Sequence, residues 1–126
     1  MRTMIAGLTA ALALTAGAAQ AQEMSAADQQ DIQCFALVAA QAGEGEQSPE
    51  KMASLATAMM FYLGRMEGRS PNTDWLARIE TYLRSSEVEK LPTHAERCAT
   101  EMMSKGKALI DWGARLQAQA GAQKGG

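Results

Sequence analysis

An apolar stripe in the segment 48–69 constrains the fold more than any other feature of the sequence. Ser48 and Pro49 mark a helix start, because serine caps free backbone N–H groups and proline suits the first helical position. Apolar side chains then recur at spacings of three and four, the period of a helix that buries one face. The stripe contains Met52, Leu55, Ala56, Met59, Met60, Leu63 and Met66, and is widened by Phe61 and Tyr62. We predict a helix over 49–67, ended by Gly68, on which the other helices pack.

Two further helices are predicted on either side of this segment. Ser25 is a typical cap for a first helix, which Gly43 ends. A third helix follows a turn and begins at Asn72 or Thr73, with its apolar face formed by Trp75, Leu76, Ile79, Tyr82 and Leu83. Ser86 and Glu89 have the spacing of a capping box for a short turn after it.

A long fourth helix is predicted from Pro92 to about Gln119. Its inner stripe has a spacing close to a heptad and consists of Ala95, Cys98 or Ala99, Met102, Gly106, Leu109, Gly113 and Leu116. Because several of these residues are small, this face allows another helix to approach closely. Each glycine inside the helix costs about 1 kcal/mol of helix stability.

The first 21 residues have the pattern of a secretory signal peptide. Arg2 provides the positive start, 5–18 is an apolar run, and 19–21 reads Ala-Gln-Ala, a small-x-small cleavage site. We expect cleavage after Ala21 and export to the periplasm. The remaining chain divides into a single helical domain, 22–120, and a disordered tail, 121–126.

The charge of the exported chain bears on its partners. Without Arg2 it has 11 basic and 14 acidic side chains, a net charge of −3, and the basic residues form no cluster. This pattern argues against nucleic acid or an anionic membrane surface as the main partner. No second apolar stretch suits stable membrane insertion after signal cleavage.

The two cysteines, Cys34 and Cys98, predict one disulfide, because exported proteins meet an oxidising compartment. In an up-and-down bundle the first and fourth helices are neighbours, and the two cysteines lie at similar distances from the same end. We therefore predict a small all-α, four-helix up-and-down bundle with one disulfide joining helices one and four. The spacing of the cysteines does not fit a thioredoxin-like site or covalent c-type haem.

Four residues are candidates for a binding site. Arg65 and Arg69 lie one turn apart, so they could clamp a carboxylate or phosphate of a partner; the alternative is a solvated helix end. His94, the single histidine, and Met102 are the side chains that a metal or haem would use, although one histidine lacks the partners of a zinc or catalytic site. Methionines can bind Cu(I), but they also fill apolar cores, so we predict no metal site and no cofactor.

No segment has the pattern of a known catalytic motif. Neither a nucleophile elbow, a zinc-protease helix nor a phosphate-binding glycine loop is present in the sequence. We predict that the protein is not an enzyme and has no catalytic residues; a hydrolase without a recognisable motif is the weaker alternative.

Three short segments carry a resemblance to known proteins: 33–37 (QCFAL), 61–65 (FYLGR) and 97–98 (RC). They resemble small exported helical proteins of Gram-negative bacteria. The layout is also similar to acid-stress chaperones of the HdeA type and to helical immunity proteins that neutralise type VI secretion amidases. The gap between the cysteines is longer than in the HdeA pattern, and no functional residue carries over.

The resemblance implies a non-enzymatic periplasmic protein that binds an unknown protein partner, as a stress chaperone or inhibitor does. The alternative is a periplasmic haem or copper carrier that uses His94 and core methionines.

Overall fold

The computed structural model describes residues 23–125, and every regular element in that range is helical. This confirms the all-α prediction. The predicted signal peptide and its cleavage after Ala21 lie outside the described residues. The elements in chain order are α1 (Ala26–Ala42), α2 (Pro49–Arg69), α3 (Trp75–Leu83), a 3₁₀ helix (Ser86–His94) and α4 (Ala95–Lys124).

Serine caps begin the first two helices, as predicted. The Ser25 hydroxyl accepts the Asp28 N–H at 3.1 Å, and the Ser48 hydroxyl accepts the Lys51 N–H at 3.2 Å. Each bond satisfies a backbone donor that has no partner within its helix. Gly43 is the C-cap of α1, also as predicted.

Two predicted boundaries near α3 were wrong. Gly68 does not end α2, which continues to Arg69 and is capped by Ser70, whose N–H donates to Met66 O. The residue that caps α3 is Asp74, not Asn72 or Thr73; its carboxylate accepts the Ala77 N–H at 3.0 Å. A charged cap of this kind also complements the helix dipole.

The prediction for the start of the last helix was also wrong. Pro92 lies inside the 3₁₀ helix, which is capped by Ser85 and not by Ser86, and α4 begins at Ala95. Proline has no N–H to donate and disfavours the α conformation before it, which accounts for a tighter helix at this point. At its other end α4 continues to Lys124, beyond the predicted end near Gln119. The division into a domain, 22–120, and a tail, 121–126, stays a prediction.

The core is built around α1, which contacts every other element. Two clusters of buried residues form it: Cys34, Val38, Leu55, Tyr62 and Cys98 in one, and Ile32, Met66, Trp75 and Ile79 in the other. On α2 the buried face centres on Tyr62, which is completely buried. Met59 and Leu63, predicted to be buried, are only half-buried, and Met60 of the predicted stripe is exposed.

Cys34 and Cys98 form the predicted disulfide, with their Cα atoms 5.5 Å apart. Nearby, the Tyr62 hydroxyl donates to the Cys98 carbonyl at 3.4 Å, so α2 is also attached to the first turns of α4. From Met103 to the end of α4 no residue is buried. The up-and-down order of the four helices stays a prediction.

Candidate functional site

The last 22 of the 30 residues of α4 present large apolar side chains to solvent. We call 103–124 the arm and 23–102 the head. The exposed fractions of five arm residues are 69% for Met103, 67% for Leu109, 73% for Ile110, 55% for Trp112 and 44% for Leu116. Exposed apolar patches of this kind mark interaction surfaces in soluble proteins.

The predicted inner stripe of the fourth helix is therefore only partly packed. Its first members contact the core, with Cys98 buried and Met102 packed against the first cluster. Leu109 and Leu116, further along the same stripe, have no covering element among residues 23–125. The sequence pattern predicted an apolar face but could not show which part of it the chain itself covers.

The small residues of the arm also face open space. A methyl group placed on Gly106 or Gly113 would meet no atom within 4 Å in the described part of the chain, apart from the backbone of its own helix and its chain neighbours. The sequence predicted that this face admits another helix at close range. Within residues 23–125, no other element packs against Gly106 or Gly113.

The root of the arm is held firmly on the head. Cys98 is joined to Cys34 by the disulfide, and Arg97 donates to Gln33 Oε1 at 2.8 Å and to Cys34 Sγ at 3.3 Å. Glu101 accepts a hydrogen bond from Arg65 of α2. A covalent bond and several polar contacts within two turns therefore fix the direction in which the arm leaves the head.

Charge is distributed unevenly between the two parts. The arm has four basic side chains and one acidic one, a net charge of +3, whereas the head has seven basic and thirteen acidic ones, a net charge of −6. Lys107 and Asp111 of the arm form an ion pair at 2.7 Å. The net charge of the exported chain is small because the basic arm and the acidic head partly cancel.

The candidate partner surface at Arg65 and Arg69 contains an ion-pair network within the head. Arg69 donates to Asp28 Oδ1 at 2.8 Å and also to Asp31, and Arg65 donates to Glu101. Arg65 Nη2 lies 3.2 Å from Asp31 Oδ1 without the alignment of a hydrogen bond, which leaves this buried oxygen without a hydrogen-bond donor. The two arginines clamp carboxylates of their own chain, so an acidic partner would have to compete with these contacts.

Burial and the neighbouring charges shift the pKa values of Asp28 and Arg69 in opposite directions. Burial by itself raises the pKa of Asp28, but hydrogen bonds from Ser25 and Arg69 and the charge of Arg69 outweigh it, so the pKa is below its ordinary value. Burial lowers the pKa of Arg69, whereas its hydrogen bonds to Asp31 and Asp28 raise it, and the net pKa is higher than usual. The pair is therefore held in its charged form at neutral pH.

His94 and Met102 lie apart from any set of ligands. His94 is half-buried at the start of α4, and its side chain makes no capping hydrogen bond. Residues 23–125 contain no group of three or more His, Cys, Asp or Glu side chains positioned to hold a metal ion.

A cleft of about 270 Å³ lies among α1, α3 and the 3₁₀ helix, and it is lined by Met24, Gln29, Ile32, Gln33, Tyr82 and Glu87. Small-molecule sites are typically about 300–1,000 Å³, so this cleft is at the lower limit.

Within the described chain, no helix has both the length and the apolar character needed to cross a membrane. Comparison with known proteins finds no family model that matches this sequence and no significant match among curated proteins or solved structures.

Proposed function

We propose that this chain is an exported, non-enzymatic protein-binding module of the periplasm, and that the arm is its docking element. The observation that carries the proposal is the row of exposed apolar side chains on a helix whose root is fixed by Cys34–Cys98. A structural disulfide is typical of proteins in an oxidising compartment. The signal-like segment 1–21, with cleavage expected after Ala21, supports the same location.

The mode of binding we propose is helix packing. An amphipathic helix binds a partner through side chains at spacings of three, four and seven, and the apolar residues of the arm have that spacing. Leu109 and Leu116 are seven residues apart, and Gly106 and Gly113 allow a partner helix to approach closely. In the predicted bundle a neighbouring helix would cover Leu109 and Leu116, which are exposed here. A partner helix on this face would cover them instead.

A chaperone or inhibitor acts by occupying the surface of another protein, and the arm suits this kind of action. A haem or copper carrier, the alternative from the sequence, needs several ligands at one point. His94 lies at the start of α4, whereas Met102, eight residues further along the chain, packs against the first cluster of buried residues. The arm is therefore the better-supported site.

The proposal is tested by photo-crosslinking in the periplasm. A photoreactive amino acid is placed at Ile110 in the arm, and in a matched protein at Leu76, which is also strongly exposed but lies on α3. We expect irradiation to give an adduct of defined mass from position 110 and none from position 76. Equal adducts from both positions, or none from either, would reject the arm as the docking element.

A further inference from the structure

We propose that the partner of the arm is a second copy of this chain, bound by antiparallel pairing of the two arms. This inference rests on the proposed function, since it names the occupant of the same surface. Three observations carry it: the alternation of small and large residues along the stripe, the placement of charge around it, and the opposite net charges of arm and head.

The alternation decides the direction of pairing. Along the stripe, glycines at 106 and 113 alternate with leucines at 109 and 116. Two parallel arms would place glycine beside glycine and leucine beside leucine, leaving voids at the glycine levels. Two antiparallel arms with a two-fold axis near Asp111 place Gly106 against Leu116 of the second copy and Leu109 against its Gly113. Each level then contains one large and one small side chain.

The residues that flank the stripe fit the same axis. Ile110 and Trp112 lie on either side of the axis, so each meets its own equivalent in the second copy. The charged side chains Lys107, Asp111 and Arg115 lie on the opposite face of the helix and stay in water. Lys105, seven residues before Trp112, lies at the rim of the contact, where its long side chain keeps its charge in water. The centre of the contact is therefore apolar, as a stable contact of this kind requires.

Long-range electrostatics favour the antiparallel direction as well. An antiparallel pair brings each arm, of charge +3, towards the head of the second copy, of charge −6. A parallel pair brings like charges together at both ends. Because the Debye length is about 10 Å at 0.1 M salt, this preference weakens as salt is added.

The surface available is sufficient for a specific dimer. Five large apolar side chains are exposed on each arm. At roughly 100 Å² each, two arms would bury on the order of 1,000 Å², close to the lower limit of a specific protein interface. We therefore expect a dimer that exchanges with monomer.

The mass of the mature chain in solution is the first measurement. Sedimentation equilibrium of the wild-type protein should give twice the chain mass at high micromolar concentration. The double variant Leu109→Gln/Leu116→Gln should raise the dissociation constant at least about 100-fold, because four apolar contacts are lost in each dimer. The matched control, Met60→Gln/Leu76→Gln, changes equally exposed residues on α2 and α3 and should change it less than threefold. Circular dichroism verifies that both variants are folded.

The second measurement tests direction. Lys105→Cys and Gln119→Cys each add one thiol to an exposed arm position, and the native cysteines are already paired. In the antiparallel pair, residue 105 lies beside residue 119 of the second copy. In a parallel pair these residues are 14 positions apart, about 21 Å along the helix. Mixed oxidation of the two variants should give a heterodimer, whereas either variant alone should give little; strong homodimers from each alone would overturn the antiparallel arrangement.

The results separate this inference from the proposed function. A wild-type chain that is monomeric at 1 mM overturns self-pairing, but a crosslink from position 110 to a different protein would leave the proposed function standing. A dimer that the Leu109→Gln/Leu116→Gln variant does not weaken overturns self-pairing through the arms, and the photo-crosslink from position 110 then decides the proposed function by itself. A monomer that cosediments with phosphatidylglycerol vesicles through the arm overturns both self-pairing and the proposed function, in favour of a lipid surface.

Discussion

At the residue scale, Asp31 is a buried charge at the contact between α1 and α2. Its side chain is 1% exposed, and it lies between the guanidinium groups of Arg65 and Arg69. A buried carboxylate is unfavourable unless it is paired, so the two arginines of α2 fix how α1 packs against that helix.

We predict that Asp31→Asn destabilises the protein by about 1–3 kcal/mol. Breaking a buried ion pair costs roughly 3–5 kcal/mol, but both arginines are about one-third exposed, and water takes up part of the loss. Urea unfolding at pH 7 measures the change. The control, Glu80→Gln, removes an exposed pair with Arg84 and should cost less than about 1 kcal/mol. Equal losses from the two substitutions would contradict the role given to Asp31.

A second prediction concerns the pH dependence of Asp28. Because its folded-state pKa is lowered, its charge stabilises the fold above its unfolded pKa, and this stabilisation is lost as pH falls through the folded pKa. The wild type should therefore be more stable than Asp28→Asn at pH 7, and the difference should shrink below about pH 4. Urea titrations between pH 7 and pH 2.5 measure it. A difference that stays constant over this range would show that the charge of Asp28 contributes nothing.

The sequence predicted the arginine pair but not its partners. No role was predicted for Asp28 or Asp31, whose distance in sequence from Arg69 is about 40 residues. Distance from the loop between α1 and α2 does not predict the pairs, because Arg65 and Arg69 lie more than one helical turn further from it than Asp31 and Asp28. The pairs follow only from the way the two helices pack.

At the scale of elements, local chemistry determined which boundaries could be predicted. Ser25 and Ser48 were identified because a serine cap acts within its own first turn. Asp74 was missed because three polar residues in succession can each serve as a cap. The exposure of Leu109 and Leu116 could not be predicted, since an apolar pattern shows which face is buried in a complex but not by which molecule.

The disulfide is the strongest single constraint on the elements. Its cysteines are 64 residues apart, and closing a loop of that length stabilises a fold by about 4 kcal/mol in the chain-entropy model. We predict that Cys34→Ser/Cys98→Ser lowers the melting temperature markedly while helicity at low temperature is retained. Differential scanning calorimetry and circular dichroism measure the two effects. Labelling of the unfolded, unreduced wild type should find no free thiol; two thiols per chain would refute the bridge.

At the scale of the whole molecule, α2 and α4 are attached to α1 by different chemistry. The bond between α1 and α4 is the covalent Cys34–Cys98 bridge, which does not depend on pH. Contact between α1 and α2 includes the ion pairs of Asp28 and Asp31 with Arg69, which require charged carboxylates. Acid should therefore loosen α2 while α1 and α4 stay joined.

We predict that acid opens the head and exposes the apolar face of α2, which contains Leu55, Tyr62 and Met66. The lowered pKa of Asp28 places the onset below about pH 4, since its stabilisation is present above the unfolded pKa and lost as pH falls through the folded one. Binding of a hydrophobic dye between pH 6 and pH 2 measures the opening. Suppression of the aggregation of a client protein over the same range tests a stress-chaperone function.

The variant Arg69→Gln provides the comparison for this transition. It removes the cation shared by Asp28 and Asp31, so the head loses stability and should open at a higher pH than the wild type. Arg84→Gln removes an exposed cation of α3 and should leave the transition unchanged. If the wild type binds no dye at pH 2, the ion pairs do not control the packing of α2. If it opens but protects no client, the chaperone form of the proposal fails, and binding at neutral pH through the arm is the remaining form.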